Sequence, residues 1–471
     1  MLDAVAGPRE GTTPLASHLI AAFSVGAVVF IACLFGILTR PMGSLAAFWP
    51  ANALLLGMMV RGPRFANFGG WLGAFLGYIA ADISTGGNIG ITIWLTVANM
   101  AGAITGYLLF SLRTESDRKL RRPLSVLFLF GICATAALVA AFVGGGAARV
   151  LFGRDFLTGL EFWFVTELVN SLVILPAILT FPVVPQNWSF TIAASPAKIA
   201  RKAAPAVALF ASVIMGVVVG GPGAVAFAVP ALLWCALSYS VFVTAVLTLV
   251  FCSWLLVAVS SGLIDLKMQG DVLRDISSLR LGIALMALAP LTAASINSAR
   301  MDLMRQLAHS ANHDELTGIL NRRAVLERAA ERLASSSTGT PQVTVLMLDI
   351  DYFKQVNDRH GHMVGDDVLI AFTRVVSGEL RPDDLFGRMG GEEFVVVLFQ
   401  LSPEEALAVA ERLRQAVLRM TVGAEGGDIR VTVSIGLAAR SGAGLEILLS
   451  MADQALYRAK AGGRDNTSVF R

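Results

Sequence analysis

Between Leu15 and Leu112 the chain carries only four charged side chains, Arg40, Arg61, Arg64 and Asp82. A soluble domain draws about a quarter of its residues from Asp, Glu, Lys and Arg, so water cannot be the solvent this stretch folds in. The whole chain of 471 residues is 55% hydrophobic and 15% charged, with a mean hydropathy of +0.68. From Asn312 onward, charges return every few residues. One chain therefore joins a lipid-solvated half to a water-solvated half. Its net charge of +3 gives no electrostatic case for nucleic acid, and none is expected as a partner. Cys33, Cys133, Cys235 and Cys252 all lie in apolar segments without metal-ligand spacing and read as small buried hydrophobes.

An apolar run of about 18 residues spans a bilayer core. Such runs fall at roughly 17–37, 43–60, 66–82, 91–112, 123–145, 157–183, 204–220, 223–239, 241–262 and 278–297, of which the second, third and eighth are short. Eight to ten membrane helices are expected. Basic residues mark cytoplasmic loops. Arg113, Arg118, Lys119, Arg121 and Arg122 in one loop, and Lys198, Arg201 and Lys202 in another, put both ends of a ten-helix bundle inside. Arg149 and Arg154, and Lys267 and Arg274, run against this scheme. Glu167 lies within a span, with Asn170 about one turn on. An ionisable group there is costly and marks a functional site by default. Signal recognition and a protonated Glu bonded to a neighbouring helix both fit.

The segment Phe48-Trp49-Pro50-Ala51-Asn52-Ala53, followed by Leu54-Leu55-Leu56-Gly57, resembles the early part of MASE1-type membrane sensor domains. That resemblance implies a sensor for an unknown ligand; transport is the rival reading of buried polar groups. Beyond the last span, Met301, Met304, Leu307 and Ala311 recur at helical spacing. They fit a short parallel coiled coil or a single amphipathic helix. His309 and His313 read as solvated.

The remainder alternates strand and helix patterns: strands at Val343–Ile350, Phe394–Leu398, Ile429–Ala438 and Thr467–Phe470, and helices at Glu327–Leu333, Val368–Leu380, Ser402–Met420 and Leu445–Ala461. This predicts an α/β domain with helices packed on a mixed sheet. Asp349 and Asp351 close the first strand and, by alternation, should point the same way. Glu392 and Glu393 follow the Gly390-Gly391 turn. If the two strands are neighbours, these carboxylates converge. Hard divalent ions relieve their repulsion while leaving coordination positions for phosphate.

Five ordered motifs make the resemblance specific. Asp314-Glu315-Leu316-Thr317-Gly318-Ile319-Leu320-Asn321-Arg322-Arg323, then Asp349-Ile350-Asp351-Tyr352-Phe353-Lys354-Gln355-Val356-Asn357-Asp358, then Gly361-His362-Met363-Val364-Gly365-Asp366, then Arg388-Met389-Gly390-Gly391-Glu392-Glu393-Phe394, and last Ala459-Lys460-Ala461-Gly462-Gly463-Arg464-Asp465-Asn466 together resemble the GGDEF diguanylate cyclase family. Glu392 stands where the family name has Asp and keeps the carboxylate. The resemblance implies a palm-like, ferredoxin-like nucleotidyl cyclase domain at 313–471, a helical linker at 298–312 and an integral membrane sensor domain at 1–297. It implies condensation of two GTP into cyclic di-GMP by a homodimer in the bacterial inner membrane, with the cyclase domain in the cytoplasm and magnesium or manganese as cofactor.

It also implies residue roles. Asp349, Glu393 and the carbonyl of Ile350 would hold the metal. Glu392 would help activate the attacking ribose hydroxyl, and Gly390 and Gly391 would let backbone approach the nucleotide. Asn357 and Asp366 would bond guanine. Lys460 and Arg464 would hold the β- and γ-phosphates, and Phe353 and Lys354 would also contact GTP. Arg381 and Asp384 form an Arg-x-x-Asp ahead of the signature that resembles the family's product-inhibition site, joined by Arg412 from the partner domain. A catalytically silent receptor for GTP or cyclic di-GMP is the alternative.

Overall fold

A computed structural model describes residues 14–38, 48–153, 155–182, 196–260, 263–264, 272–335, 343–424, 427–439 and 444–470. Arg154 and Lys267 lie outside these residues. The chain divides into two compact units, Met1–Asp302 and Leu303–Arg471, with the boundary inside the 41-residue helix Val272–Asn312.

Each of the ten apolar runs corresponds to a helix in the first unit. Among the described residues, seven helices rather than eight to ten are long and apolar enough to cross a membrane. The others stop early for local reasons. Ala51–Arg61 has 11 residues because Pro50 precedes it and Gly62-Pro63 ends it. Phe68–Ser84, with 17, starts where the Asn67 side chain accepts from the Gly70 N–H. Val229–Ser238 has 10, preceded by a 3₁₀ turn over Pro222–Ala226 and closed by an extended Tyr239.

Close packing between helices Pro14–Leu38 and Phe68–Ser84 rests on a run of small residues that periodicity alone did not flag. Gly69, Gly73 and Gly77 recur every fourth residue. A Cβ on Gly73 would lie 2.1 Å from the Ala22 carbonyl oxygen, and one on Gly77 2.6 Å from that of Gly26. Such close backbone contact gains dispersion energy between helices even where apolar burial gains little.

Helix Phe156–Leu179 is the centre of this unit: 72% of its apolar window is buried, against 17% for Pro196–Val219. Its Glu167 accepts from Asn52 Nδ2 at 2.7 Å. The same nitrogen donates to Asn99 Oδ1 at 3.0 Å, and Asn52 Oδ1 accepts from the Tyr78 hydroxyl at 2.5 Å. Asn170 Oδ1 accepts from the Trp49 N–H at 3.1 Å. The Phe48–Asn52 segment thus pairs with Glu167 and Asn170 of the central helix.

In the second unit a six-stranded sheet has the order β1-β3-β4-β2-β7-β8. The strands are β1 (Leu320–Asn321), β2 (Val343–Ile350), β3 (Leu385–Gly390), β4 (Glu393–Phe399), β7 (Val433–Ala439) and β8 (Thr467–Val469), while β5 (Val422–Ala424) and β6 (Gly427–Ile429) form a separate hairpin. The expected single strand Ile429–Ala438 is therefore two elements. Every residue of β2 is buried. Leu346, Leu348 and Ile350 pack with Val368, Phe372, Val409 and Leu413 of helices His362–Glu379 and Pro403–Leu418. Val345 and Met347 pack on the opposite face with Val325, Leu448 and Leu456 of helices Arg322–Ser335 and Leu445–Ala461. Two covered faces make the central strand apolar but for Thr344 up to its carboxyl end, where the acidic residues begin.

Candidate active site

Period-two alternation places Asp349 on the face of Val345 and Met347. β2 and β4 are antiparallel neighbours, and their register sets Asp349 directly opposite Glu393. The Ile350 N–H donates to the Glu392 carbonyl at 3.3 Å, which draws the β3–β4 turn onto the end of β2. Lys460, near the end of helix Leu445–Ala461, covers the same face and pairs with Asp349 Oδ2 at 2.7 Å.

Burial pushes the Asp349 carboxyl above its ordinary pKa. The negative charges of Glu392 and Glu393 push the same way, and the bond and charge of Lys460 oppose them. One ammonium pairs with Asp349, while Glu392 and Glu393 add negative charge beside it. Oxygen donors with unbalanced negative charge fit a hard divalent cation. Among the described residues no three His, Cys, Asp or Glu side chains are placed to share one ion.

Asp351 shares the face of Asp349, as alternation predicts: it bonds Ser434, which lies opposite Asp349 in the β2–β7 register. Its carboxylate accepts from Thr432 Oγ1 at 2.6 Å, Ser434 Oγ at 2.7 Å and the Asp465 N–H at 3.0 Å. It ties three segments together, and its bonds are already made.

The turn of the signature is a left-handed one. Gly390 has φ +151° and Gly391 φ +53°, with a bulge between Arg388 and Gly390. A side chain at either position would be strained. Arg388 holds this turn in a way that sequence reading missed. Its Nε and Nη2 donate to the Gly391 carbonyl at 2.9 and 2.7 Å, and its Nη1 donates to Asp314 Oδ1 at 2.9 Å. Asp314 also accepts from the Thr317 N–H and hydroxyl. Burial raises the Asp314 carboxyl, but those bonds and the Arg388 guanidinium outweigh it and hold it below its usual range.

The residues after β2 form helix Phe353–His360, started by Tyr352 at φ +58°. The Phe353 side chain is buried in the core, so only its main chain is open to a ligand. The first turn leaves the N–H groups of Phe353 and Lys354 without helical partners. Arg464 lies over the Tyr352 ring, 4.5 Å from its centre. Asn357 meets the next helix where Gly365 makes room: a Cβ there would lie 1.9 Å from Asn357 Oδ1. Asp366 follows that glycine and is exposed.

Arg381 and Asp384 sit apart from these residues, in the loop before β3. The Arg381 N–H donates to Asp384 Oδ2 at 2.9 Å, and the Arg381 side chain is exposed. Arg412 donates to the Glu379 carboxylate at 3.0 Å and to its carbonyl at 2.8 Å, within its own domain and two residues before Arg381.

The sequence is similar to those of known proteins. The family model described as diguanylate cyclase, GGDEF domain, matches residues 311–466. The chain is 32% identical over 439 residues to a probable diguanylate cyclase, DgcF, of Escherichia coli O157:H7, covering 92% of this chain and 91% of that protein. It is 35% identical over 316 residues to the DgcF of Escherichia coli strain K12, covering 66% of this chain and 97% of that one. It is 40% identical over 170 residues to the response regulator PleD of Caulobacter vibrioides, covering 35% and 37%. Five motifs in order, a register that opposes Asp349 to Glu393, and relatives matched over nearly their full length lead to one statement: the chain belongs to the GGDEF family and is a diguanylate cyclase.

Proposed function

We propose that this enzyme is a membrane-anchored homodimer that condenses two GTP into cyclic di-GMP and two diphosphates, with magnesium or manganese bound by Asp349, Glu393 and the Ile350 carbonyl. The observation that carries this is the opposition of Asp349 and Glu393 on neighbouring strands, with Glu392 at the adjoining turn. When bound, the ion neutralises charge on the α-phosphate and on the leaving diphosphate. Glu392 assists loss of the proton from the attacking 3′-hydroxyl. Gly390 and Gly391 keep the turn thin enough for the nucleotide to lie against backbone. Asn357 and Asp366 bond the guanine edge, and their donor and acceptor set excludes adenine. Lys460 and Arg464 take the β- and γ-phosphates, Lys460 leaving Asp349 as substrate arrives. The N–H groups of Phe353 and Lys354 face phosphate at a helix start.

Each domain holds one GTP, so the reaction needs two domains face to face, and catalysis is largely their positioning. This gives the multi-span half a role as a MASE1-like sensor in the inner membrane, with the cyclase domain on the cytoplasmic side. Support comes from the Asn52–Glu167–Asn99–Tyr78 network at its centre, where the resemblance to that sensor class falls. The domain division at 1–297, 298–312 and 313–471 follows from the same reading. Product feedback acts through Arg381, Asp384 and Arg412.

Turnover tests the core of this. Purified full-length protein in detergent, given GTP and magnesium, should yield cyclic di-GMP and diphosphate, and Glu392→Ala should abolish the yield. Untouched GTP, or equal yields from the two proteins, would overturn the assignment of these residues.

A further inference from the structure

Arg464 and Asp465 are consecutive non-glycine residues in the left-handed region, at φ +64° and +44°. Each such residue costs about 1 kcal/mol or more and persists only where its surroundings impose it. Arg414, on the helix Pro403–Leu418, is what imposes it. Its side chain is 13% exposed. Nη1 donates to Asp465 Oδ1 at 2.5 Å and to the Asp465 carbonyl at 3.2 Å. Nε and Nη2 grip the Glu411 carboxylate at 2.6–3.1 Å, and Gln415 Nε2 adds a bond to Glu411 at 3.1 Å. On its other side the Asp465 N–H donates to Asp351, which Thr432 and Ser434 fix. The left-handed pair is thus clamped between a helix and the end of β2, and the clamp sets the place from which Arg464 reaches across Tyr352.

We propose that Arg414 is a positioning residue for the nucleotide triphosphate: through Asp465 it fixes the turn that presents Arg464 to the β- and γ-phosphates. The inference rests on the reading of Arg464 as a phosphate ligand. A guanidinium is required because the job needs Nε and Nη2 on Glu411 and Nη1 on the Oδ1 and main-chain carbonyl of Asp465, which a single ammonium cannot span.

The test is equilibrium binding to the detergent-solubilised full chain of two probes, the unreactive α,β-methylene analogue of GTP and guanosine. Arg414→Lys should weaken the analogue about tenfold or more, the loss expected for one misplaced charge-assisted hydrogen bond, and leave guanosine within about twofold. Asp465→Asn keeps the N–H to Asp351 and removes the charge facing Arg414, so it should move the analogue the same way. A parallel loss for both probes would reduce Arg414 to a general stabiliser, and no loss for either would also overturn the proposal. Arg464→Ala separates the two layers. If it too leaves analogue binding unchanged, the phosphate reading of Arg464 fails. If it weakens the analogue while Arg414→Lys does not, only the positioning role fails.

Discussion

Replacing Arg388 by Met keeps the apolar stem of the side chain and removes all three of its bonds, two to Gly391 and one to Asp314. Charge-assisted bonds contribute about 1.5–3 kcal/mol each. The two on Gly391 share one oxygen, and the Arg388 and Asp314 side chains are 14% and 24% exposed, so about 2–4 kcal/mol is the expected total. Asp314→Asn breaks only the ion pair and keeps the grip on Gly391, so about 1–2 kcal/mol is expected. For a domain of this size 1 kcal/mol shifts the midpoint by about 2–4 °C, which puts Arg388→Met about 4–16 °C below wild type. All seven tryptophans lie at or before Trp254, so fluorescence reports on the first unit; residual cyclase activity after a temperature series reports on the catalytic one. The turnover number measured at 20 °C should fall in Arg388→Met more than in Asp314→Asn, because only the first frees the Gly390-Gly391 turn. The pH dependence follows from the depressed Asp314 carboxyl. Its stabilisation is fully present above the unfolded value of about 3.9 and is lost as pH falls through the lower folded value. The gap between wild type and Asp314→Asn should therefore close below about pH 4. Equal midpoints for the two variants, or strict additivity in the double variant, would refute the coupling of turn and N-terminal motif.

Gly365→Ala would drive the Asn357 amide off its position; with the proposed bond to guanine lost at about 1–3 kcal/mol, KM for GTP should rise about 5- to 150-fold. An unchanged KM would sever Asn357 from guanine recognition. Gly73→Val should push apart helices Pro14–Leu38 and Phe68–Ser84 and lower the tryptophan-monitored midpoint in detergent, whereas Gly131→Val, which meets nothing within 4 Å, should leave it in place; equal shifts would discount the glycine packing. Arg381→Ala should raise the cyclic di-GMP concentration needed for half inhibition about tenfold or more; identical product sensitivity in the two proteins would remove Arg381 from feedback.

Local patterns were legible wherever burial is complete. β2 reads off eight successive residues because both of its faces are covered, and Leu445–Ala461 reads off a stripe that packs on one face. β3 did not read as a strand, since Leu385–Gly390 is broken by two glycines and owes its pairing to β4. Ile429–Ala438 looked like one strand because apolar residues continue through it; the chain instead leaves the hairpin at Ile429 and enters the sheet at Val433. Site residue types were readable from their motifs, but partners were not. Alternation says that Asp349 and Asp351 share a direction, but not that Lys460 and Glu393 meet Asp349 while Thr432, Ser434 and the Asp465 N–H, remote in sequence, take Asp351. Arg388 finds Asp314 across 74 residues and Arg414 finds Asp465 across 51, with no local signal to pair them. Both arginines act on left-handed turns that carry candidate active-site residues, Gly390-Gly391 in one case and Arg464-Asp465 in the other. The motifs supply groups that can meet substrate, and side chains remote in sequence hold the strained backbone that aims them. A reading confined to motifs will therefore name the substrate-facing groups and overlook the residues whose removal misdirects them.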